Sequence, residues 1–423
     1  LRFLSTRGLA PPVSLEEALF AGPAPDGGLY VPERLSALEP PRPGDDFVET
    51  ARRAAAAFFG DDLPASTIED VVSASLTFPI PLVPVTPGVH SLELFHGPTL
   101  AFKDVGARFM ARLMRPFLER RGREVTVLVA TSGDTGSAVA SAFHGLDGIE
   151  VVVLFPRGKV SVLQQKLFTT LGANVAAIAV EGSFDDCQRL VKRAFADRDL
   201  CSRRPLVSAN SINIGRLLPQ SFYYFHLPAQ LGVESVPLVS TPSGNFGNLT
   251  AGLFAKRMGF RAGRFVAATN ANDVVPEYLA RGIYEPRPSV ETLSNAMDVG
   301  DPSNWARILW LYGGSLERIR RDLAGSAHSD EETLRAMREV YQETGYVLDP
   351  HAAVAYLGAR RYAADGPAVF LSTAHPAKFR ETVERALGTP IDLPPALAGV
   401  LERPEAFTTI PADYGALKEY LSR

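Results

Sequence analysis

The sequence predicts an α/β protein whose parallel sheets are covered by helices on both faces. From about residue 90, continuous apolar and β-branched runs alternate with helical stretches, which is the pattern of buried parallel strands. The segments joining them are short and rich in Gly, Asn, Ser and Thr. Size agrees: 423 residues, 46% hydrophobic and 21% charged, allow two or three apolar cores rather than one.

Residues 1–84 read as an N-terminal accessory region. Ser14 followed by Glu17 predicts a capped helix over 13–19. Pro25-Asp26-Gly27-Gly28 is turn chemistry leading into an extended Leu29-Tyr30-Val31, and an Ala-rich helix is expected over 47–59. The run 78–84 carries alternating prolines, so it is an extended connector. A helix is expected over 105–118. Strand 125–130, turn 131–136, helix 137–144 and strand 149–155 open the alternating region. Helix 161–171, strand 174–180 and helix 184–195 follow. A third cycle comprises helix 214–231, strand 236–241 and helix 249–258, then strand 264–269, helix 273–281 and a last core strand at 368–373. The division expected is a large domain from 85–125 and 215–390, a small mobile α/β subdomain over 126–214, and a C-terminal extension over 391–423.

A formal net charge of −4 gives no electrostatic footprint for nucleic acid or an anionic membrane. No run of about 18 apolar residues predicts a membrane-spanning helix, and the opening residues lack the apolar stretch of a secretory signal. Cys187 and Cys201 have no metal-like spacing, so free thiols, no metal and a cytoplasmic location are expected.

Ligands of such folds gather at the carboxyl ends of the strands, and the distinctive residues lie there. Lys103 stands between the apolar run Leu100-Ala101-Phe102 and a helix start; apolar surroundings favour a neutral amine able to form an imine, the plain alternative being a solvated first-turn lysine. Thr131, Ser132, Gly133, Asp134 and Thr135 form a turn before a helix, suited to a carboxylate or phosphate, or simply an N-capped turn. Ser243-Gly244-Asn245-Phe246-Gly247-Asn248 is a second such turn, with no Walker lysine after it, and reads as a phosphate cradle. Thr373, in Ser372-Thr373-Ala374-His375-Pro376-Ala377-Lys378, offers a hydroxyl for a neutral ring nitrogen, and His375 can be a packed loop histidine. Asn210-Ser211-Ile212-Asn213-Ile214-Gly215-Arg216 is a further polar strand end. Lys159 is a cation after a strand, or an exposed loop charge. An apolar lysine, two anion cradles and a hydroxyl strand end together meet the needs of a pyridoxal-phosphate site.

The ordered set of motifs resembles the threonine synthases of the longer bacterial and fungal type, pyridoxal-phosphate enzymes of fold type II with a tryptophan-synthase β-like fold. The resemblance runs over nearly the whole chain, from Ser5-Thr6-Arg7-Gly8 and 25–32 through 96–104, 131–136, 210–213, 243–248 and 295–305 to 373–379. It implies that Lys103 carries the Schiff base, that Gly244, Asn245, Phe246, Gly247 and Asn248 bind the cofactor phosphate, and that Thr373 meets the pyridine nitrogen. It implies also that Thr131, Ser132, Gly133 and Thr135 face the substrate carboxylate. Asp134 stands where many relatives of the wider fold carry Asn against the cofactor's phenolic oxygen.

The implied reaction converts O-phospho-L-homoserine and water to L-threonine and phosphate. Lys159, Arg216 and Lys378 are then the candidate cations for the substrate phosphate, with Ser132, Asn210 and Asn213 as polar partners. A monomer or homodimer is expected. A phospho-lyase or serine/threonine dehydratase giving a 2-keto acid is the nearest alternative.

Overall fold

The computed structural model describes residues 1–42, 44–122, 124–363 and 366–423. In chain order its strands are β1 (Phe3–Ser5), β2 (Tyr30–Pro32), β3 (Leu82–Thr86), β4 (Val89–Glu93), β5 (Val125–Ala130), β6 (Ile149–Pro156) and β7 (Val175–Glu181). They continue with β8 (Leu206–Ser208), β9 (Leu238–Pro242), β10 (Arg264–Thr269), β11 (Leu323–Ala327), β12 (Ala368–Ser372) and β13 (Thr408–Pro411). Among the described residues they form three sheets. β1 and β2 pair antiparallel. The large sheet has the order β11-β10-β9-β12-β4-β3, parallel except for the β3 edge. The smaller sheet, β13-β7-β6-β5-β8, is wholly parallel.

Both parallel sheets are buried on two faces, as strands such as β5 and β12, with every residue buried, require. Between them runs the long helix Lys103–Arg121, whose Val105, Phe109, Met110, Leu113 and Met114 enter the main core. The expected fold class is the one observed.

Several elements differ from expectation. The 214–231 helix is broken: Ile214–Leu217 is helical, Leu218–Ser221 is a 3-10 turn, and Phe222–Leu231 resumes the helix. Pro219, which lacks an N–H, sits at the break. Part of the proline connector becomes β3, where Pro84 is tolerated because the strand is an edge with a register shift. Helix Ala65–Ser75 and strands β8, β11 and β13 are additions.

The C-terminal segment does more than extend the chain. β13 pairs with β7, and Ile410, Leu417 and Leu421 join Leu128, Val152, Ile178 and Leu190 in one apolar cluster. The N-terminal region is fastened from the other side by Arg307, which is fully buried. Its guanidinium donates to Tyr30 O (2.9 Å), Ser211 O (3.2 Å), Ile212 O (2.7 Å) and Asn304 Oδ1 (2.6 Å). Among the described residues no helix is long and apolar enough to cross a membrane.

Candidate active site

Lys103 opens its helix after a tightly folded loop. The Asp104 carboxylate accepts from Thr99 N (2.8 Å) and Thr99 Oγ1 (2.7 Å), and Leu100 takes a positive φ of 54°. Phe102 N–H donates to Thr373 O (2.9 Å), and His375 N–H to Leu100 O (3.1 Å). The loop is thereby stitched to the end of β12, which brings Lys103 and Thr373 into one cavity of about 560 Å³. The Lys103 side chain is 15% exposed. Burial pulls its pKa down; Asp134 opposes that pull, while Lys378 and Arg216 add to it.

Across the same cavity lies the turn after β9, leading into helix Gly247–Arg257. No backbone N–H from Gly244 to Leu249 has a partner among the described residues. Phe246 holds the turn with φ 60°. Gly244 is required by close approach, since a Cβ there would lie 2.7 Å from Ala296 O and 2.8 Å from Met297 Cα. Asn248 turns Oδ1 toward Tyr223 OH and Tyr224 OH, and its buried Nδ2 has no partner among the described residues. Free N–H groups at a helix N-terminus with an orphaned amide donor suit a phosphate ester. The Asn245 side chain is otherwise engaged: Nδ2 donates to Ser211 Oγ (2.7 Å) and Oδ1 accepts from Ser303 N (2.6 Å), so it shapes the turn.

The second cradle is built by a hydroxyl. Thr131 Oγ1 accepts from Gly133 N (2.9 Å) and Gly136 N (2.8 Å), which leaves the N–H groups of Ser132, Asp134 and Thr135 without partners among the described residues. Thr131, Ser132, Asp134 and Thr135 line the cavity. Gly133 is packed behind them with φ 144°, where a Cβ would meet the Gln164 side chain at 2.7 Å. Asp134 Oδ1 meets Lys378 Nζ (2.6 Å) and accepts from Gln164 Nε2 (2.9 Å); Oδ2 is 3.7 Å from Lys103 Nζ. Burial alone would raise this carboxyl, but Lys378 and Lys103 hold it well below the usual carboxylate range.

Asn210 and Arg216 also line the cavity. Arg216 donates to Ala209 O (2.5 Å), its Nε is an orphan, and among the described residues it has no carboxylate in contact. Burial pushes it down to about 10. Besides Gly133, three candidates from the sequence do not line the cavity. Asn213 is fully buried and donates to Leu19 O and Ser208 O while Oδ1 caps Gly215 N. Lys159 is exposed on the turn after β6. Lys378 is buried against Asp134 and Thr99 O.

The structure adds groups that sequence patterns do not reveal. Gln188 and Lys192 reach the cavity from helix Phe184–Ala196, whose amphipathic pattern reports only its buried face. Asp298 and His351 line the opposite side. His351 Nδ1 donates to Asp349 Oδ2 (2.6 Å), so Nε2 accepts from Ala296 N (3.2 Å) and steadies the segment against Gly244. The sole sequence signal for His351 is the Asp349-Pro350 helix start.

Three family descriptions match this chain: "Pyridoxal-phosphate dependent enzyme" over residues 89–373, "Threonine synthase N terminus" over 2–76, and "Threonine synthase, C-terminal" over 352–421. The chain is 48% identical to a threonine synthase of Serratia marcescens, covering 97% of this chain and 96% of that one. A crystal structure of threonine synthase from Escherichia coli superposes with a TM-score of 0.93 at 45% identity, covering 100% of this chain and 99% of the other. A pyridoxal-phosphate-bound threonine synthase from Brucella melitensis gives 0.94 at 38% identity, covering 99% and 98%.

Proposed function

Because this chain belongs to the threonine synthases, a family of pyridoxal-phosphate enzymes, we propose that its cavity takes O-phospho-L-homoserine and water and releases L-threonine and phosphate. The observation that carries this reading is the meeting of Lys103 with the Gly244–Asn248 turn in one cavity. The residues fit the cofactor: an amine for its aldehyde, unpartnered N–H groups and Asn248 Nδ2 for its phosphate, and the Thr373 hydroxyl for its ring nitrogen.

Bound pyridoxal phosphate supplies an electron sink that lets protons leave the carbons beside the substrate amine. The protein positions the remaining chemistry. Lys103 Nζ would hold the cofactor through its aldehyde and is placed to take and return protons, as an amine whose basicity burial lowers. The N–H groups of Ser132, Asp134 and Thr135, with the Thr131 turn, hold the substrate carboxylate at a helix N-terminus. Arg216, a cavity cation with no carboxylate in contact among the described residues, holds the departing phosphate, with Asn210 beside it. Residues 126–214 act as the small unit that closes over the substrate against 85–125 and 215–390, excluding water until the last step. Two free cysteines, one buried and one half-buried, accord with a cytoplasmic setting, and a monomer or homodimer is the assembly proposed.

A product assay on the cofactor-loaded protein tests the reading. Threonine and phosphate are expected in equal amounts; 2-oxobutyrate in place of threonine would overturn it in favour of a lyase or dehydratase. Lys103→Ala should abolish both turnover and the visible absorbance of the loaded protein.

A further inference from the structure

Lys378 is 2% exposed, and its ammonium lies between Thr99 O (2.8 Å) and Asp134 Oδ1 (2.6 Å). Gln164 Nε2 takes another place on the same oxygen at 2.9 Å. One carboxylate oxygen of Asp134 is therefore saturated, and the other is left facing Lys103 Nζ at 3.7 Å. The pair also joins two parts of the fold. Lys378 comes from the turn Pro376–Phe379 after β12, whereas Asp134 and Gln164 belong to helices Asp134–Phe143 and Val162–Thr169 beside the smaller sheet.

We infer that Lys378 is a positioning residue that sets the charge at Lys103: fixed on Oδ1, it holds Asp134 as an oriented anion and keeps that carboxylate from closing on Lys103 as a full ion pair. The inference rests on Lys103 being the cofactor lysine, and goes beyond that reading by removing Lys378 from the substrate-phosphate contacts. It also accounts for Asp at a position where a neutral amide would need no counter-ion.

The charges around Lys103 make the direction of the effect definite. Asp134 favours its protonated form, Lys378 and Arg216 oppose it, and the Phe102 ring lies 5.6 Å from Nζ. Asp104 is turned away to Thr99, whose N–H and Oγ1 occupy its two oxygens, and burial pushes its carboxyl up. A proton on Lys103 thus makes a third cation, after Lys378 and Arg216, facing the Asp134 carboxylate. Without Lys378, Asp134 becomes the partner of Lys103 alone and the protonated amine gains. Without the Asp134 charge, the protonated amine loses its counter-ion.

The test uses the cofactor-loaded full chain carrying Lys378→Met, Asp134→Asn, or both. Two quantities are read: the pH midpoint of the change in visible absorbance, and the acid limb of kcat. Lys378→Met should move both to higher pH by about one unit or more, and Asp134→Asn should move both lower. The double variant, which removes one charge of each sign, should return close to the parent. A merely structural role would lower thermal stability and leave the midpoints in place. Unmoved midpoints, or shifts of the same sign in the two single variants, overturn the inference. If Lys378→Met fails to fold, the downward shift in Asp134→Asn and its reversal in the double variant decide the matter. Loss of visible absorbance in Lys103→Ala together with unmoved midpoints sinks the inference alone, whereas absorbance retained in Lys103→Ala sinks the reading beneath it.

Discussion

Tyr223 OH donates to Asn248 Oδ1 at 2.6 Å, deep in the core, and so decides which end of that amide is left for a ligand. Tyr224 OH adds a second bond to the same oxygen at 2.7 Å. A flipped amide would take away the acceptor of the buried Tyr223 hydroxyl and leave Tyr224 OH only Asn248 O and Thr241 Oγ1, so Nδ2 remains the donor. Asn248→Asp should therefore place an acceptor where a phosphate needs a donor. Loss of one charge-assisted bond costs about 1.5–3 kcal/mol, so the cofactor dissociation constant should rise roughly tenfold to a hundredfold. An absorbance titration with pyridoxal phosphate measures this, and an unchanged constant would remove Asn248 from the cradle.

Thr373 is 6% exposed and directly follows β12 beside the Lys103 loop. Thr373→Val keeps the β-branched shape and deletes the hydroxyl. The visible spectrum of the loaded protein should shift while the melting temperature stays near that of the parent. A parental spectrum with a large fall in melting temperature would assign the hydroxyl to the fold instead.

Asp298 predicts a pH effect on stability. Burial raises its carboxyl to about 6, against the lowering effect of bonds from Thr292 and Asn270. A folded-state pKa above the unfolded value means that the folded protein binds this proton more tightly. Its contribution is present below about pH 4 and lost as pH rises through about 6. Melting curves of the parent and Asp298→Asn should show the parent losing stability relative to the variant between those limits. Parallel curves would count against the shift.

Closure of the small unit is open to proteolysis. Phe184, Gln188 and Lys192 line the cavity from the smaller sheet's side, and Arg287, Pro288 and Asp301 from the larger sheet's. A non-reactive analogue of O-phospho-L-homoserine that draws these walls together should slow cleavage within 126–214. Equal rates with and without the analogue would argue for a rigid cavity.

Much of this architecture is written locally in the chain. The Ser14–Glu17 capping box forms as its spacing dictates, and helix Phe47–Phe59 and strands Val125–Ala130 and Arg264–Thr269 keep the expected bounds. In each case the residues contain their own start, stop or buried pattern. Short strands such as β8 and β13 are different, since three or four residues become a strand only when a neighbour supplies the hydrogen bonds. The cavity follows the same division. Turns rich in Gly, Asn, Ser and Thr mark strand ends, but the same residue types cap helices, which is the work Asn213 performs. Lys378 shows the limit most clearly: a lysine after a core strand gives no sign that its partner is Asp134, 244 positions away.

The strand contributed by Thr408–Pro411 gives the smaller sheet a third covalent tether to the larger one, besides the chain entering before β5 and leaving after β8. A body held at two neighbouring points can twist as well as swing; a tether on its far edge restrains the twist. Were the smaller sheet to rock toward Lys103, this tether would confine it to one swing, and clipping the chain before residue 408 would strip β7 of its outer partner strand.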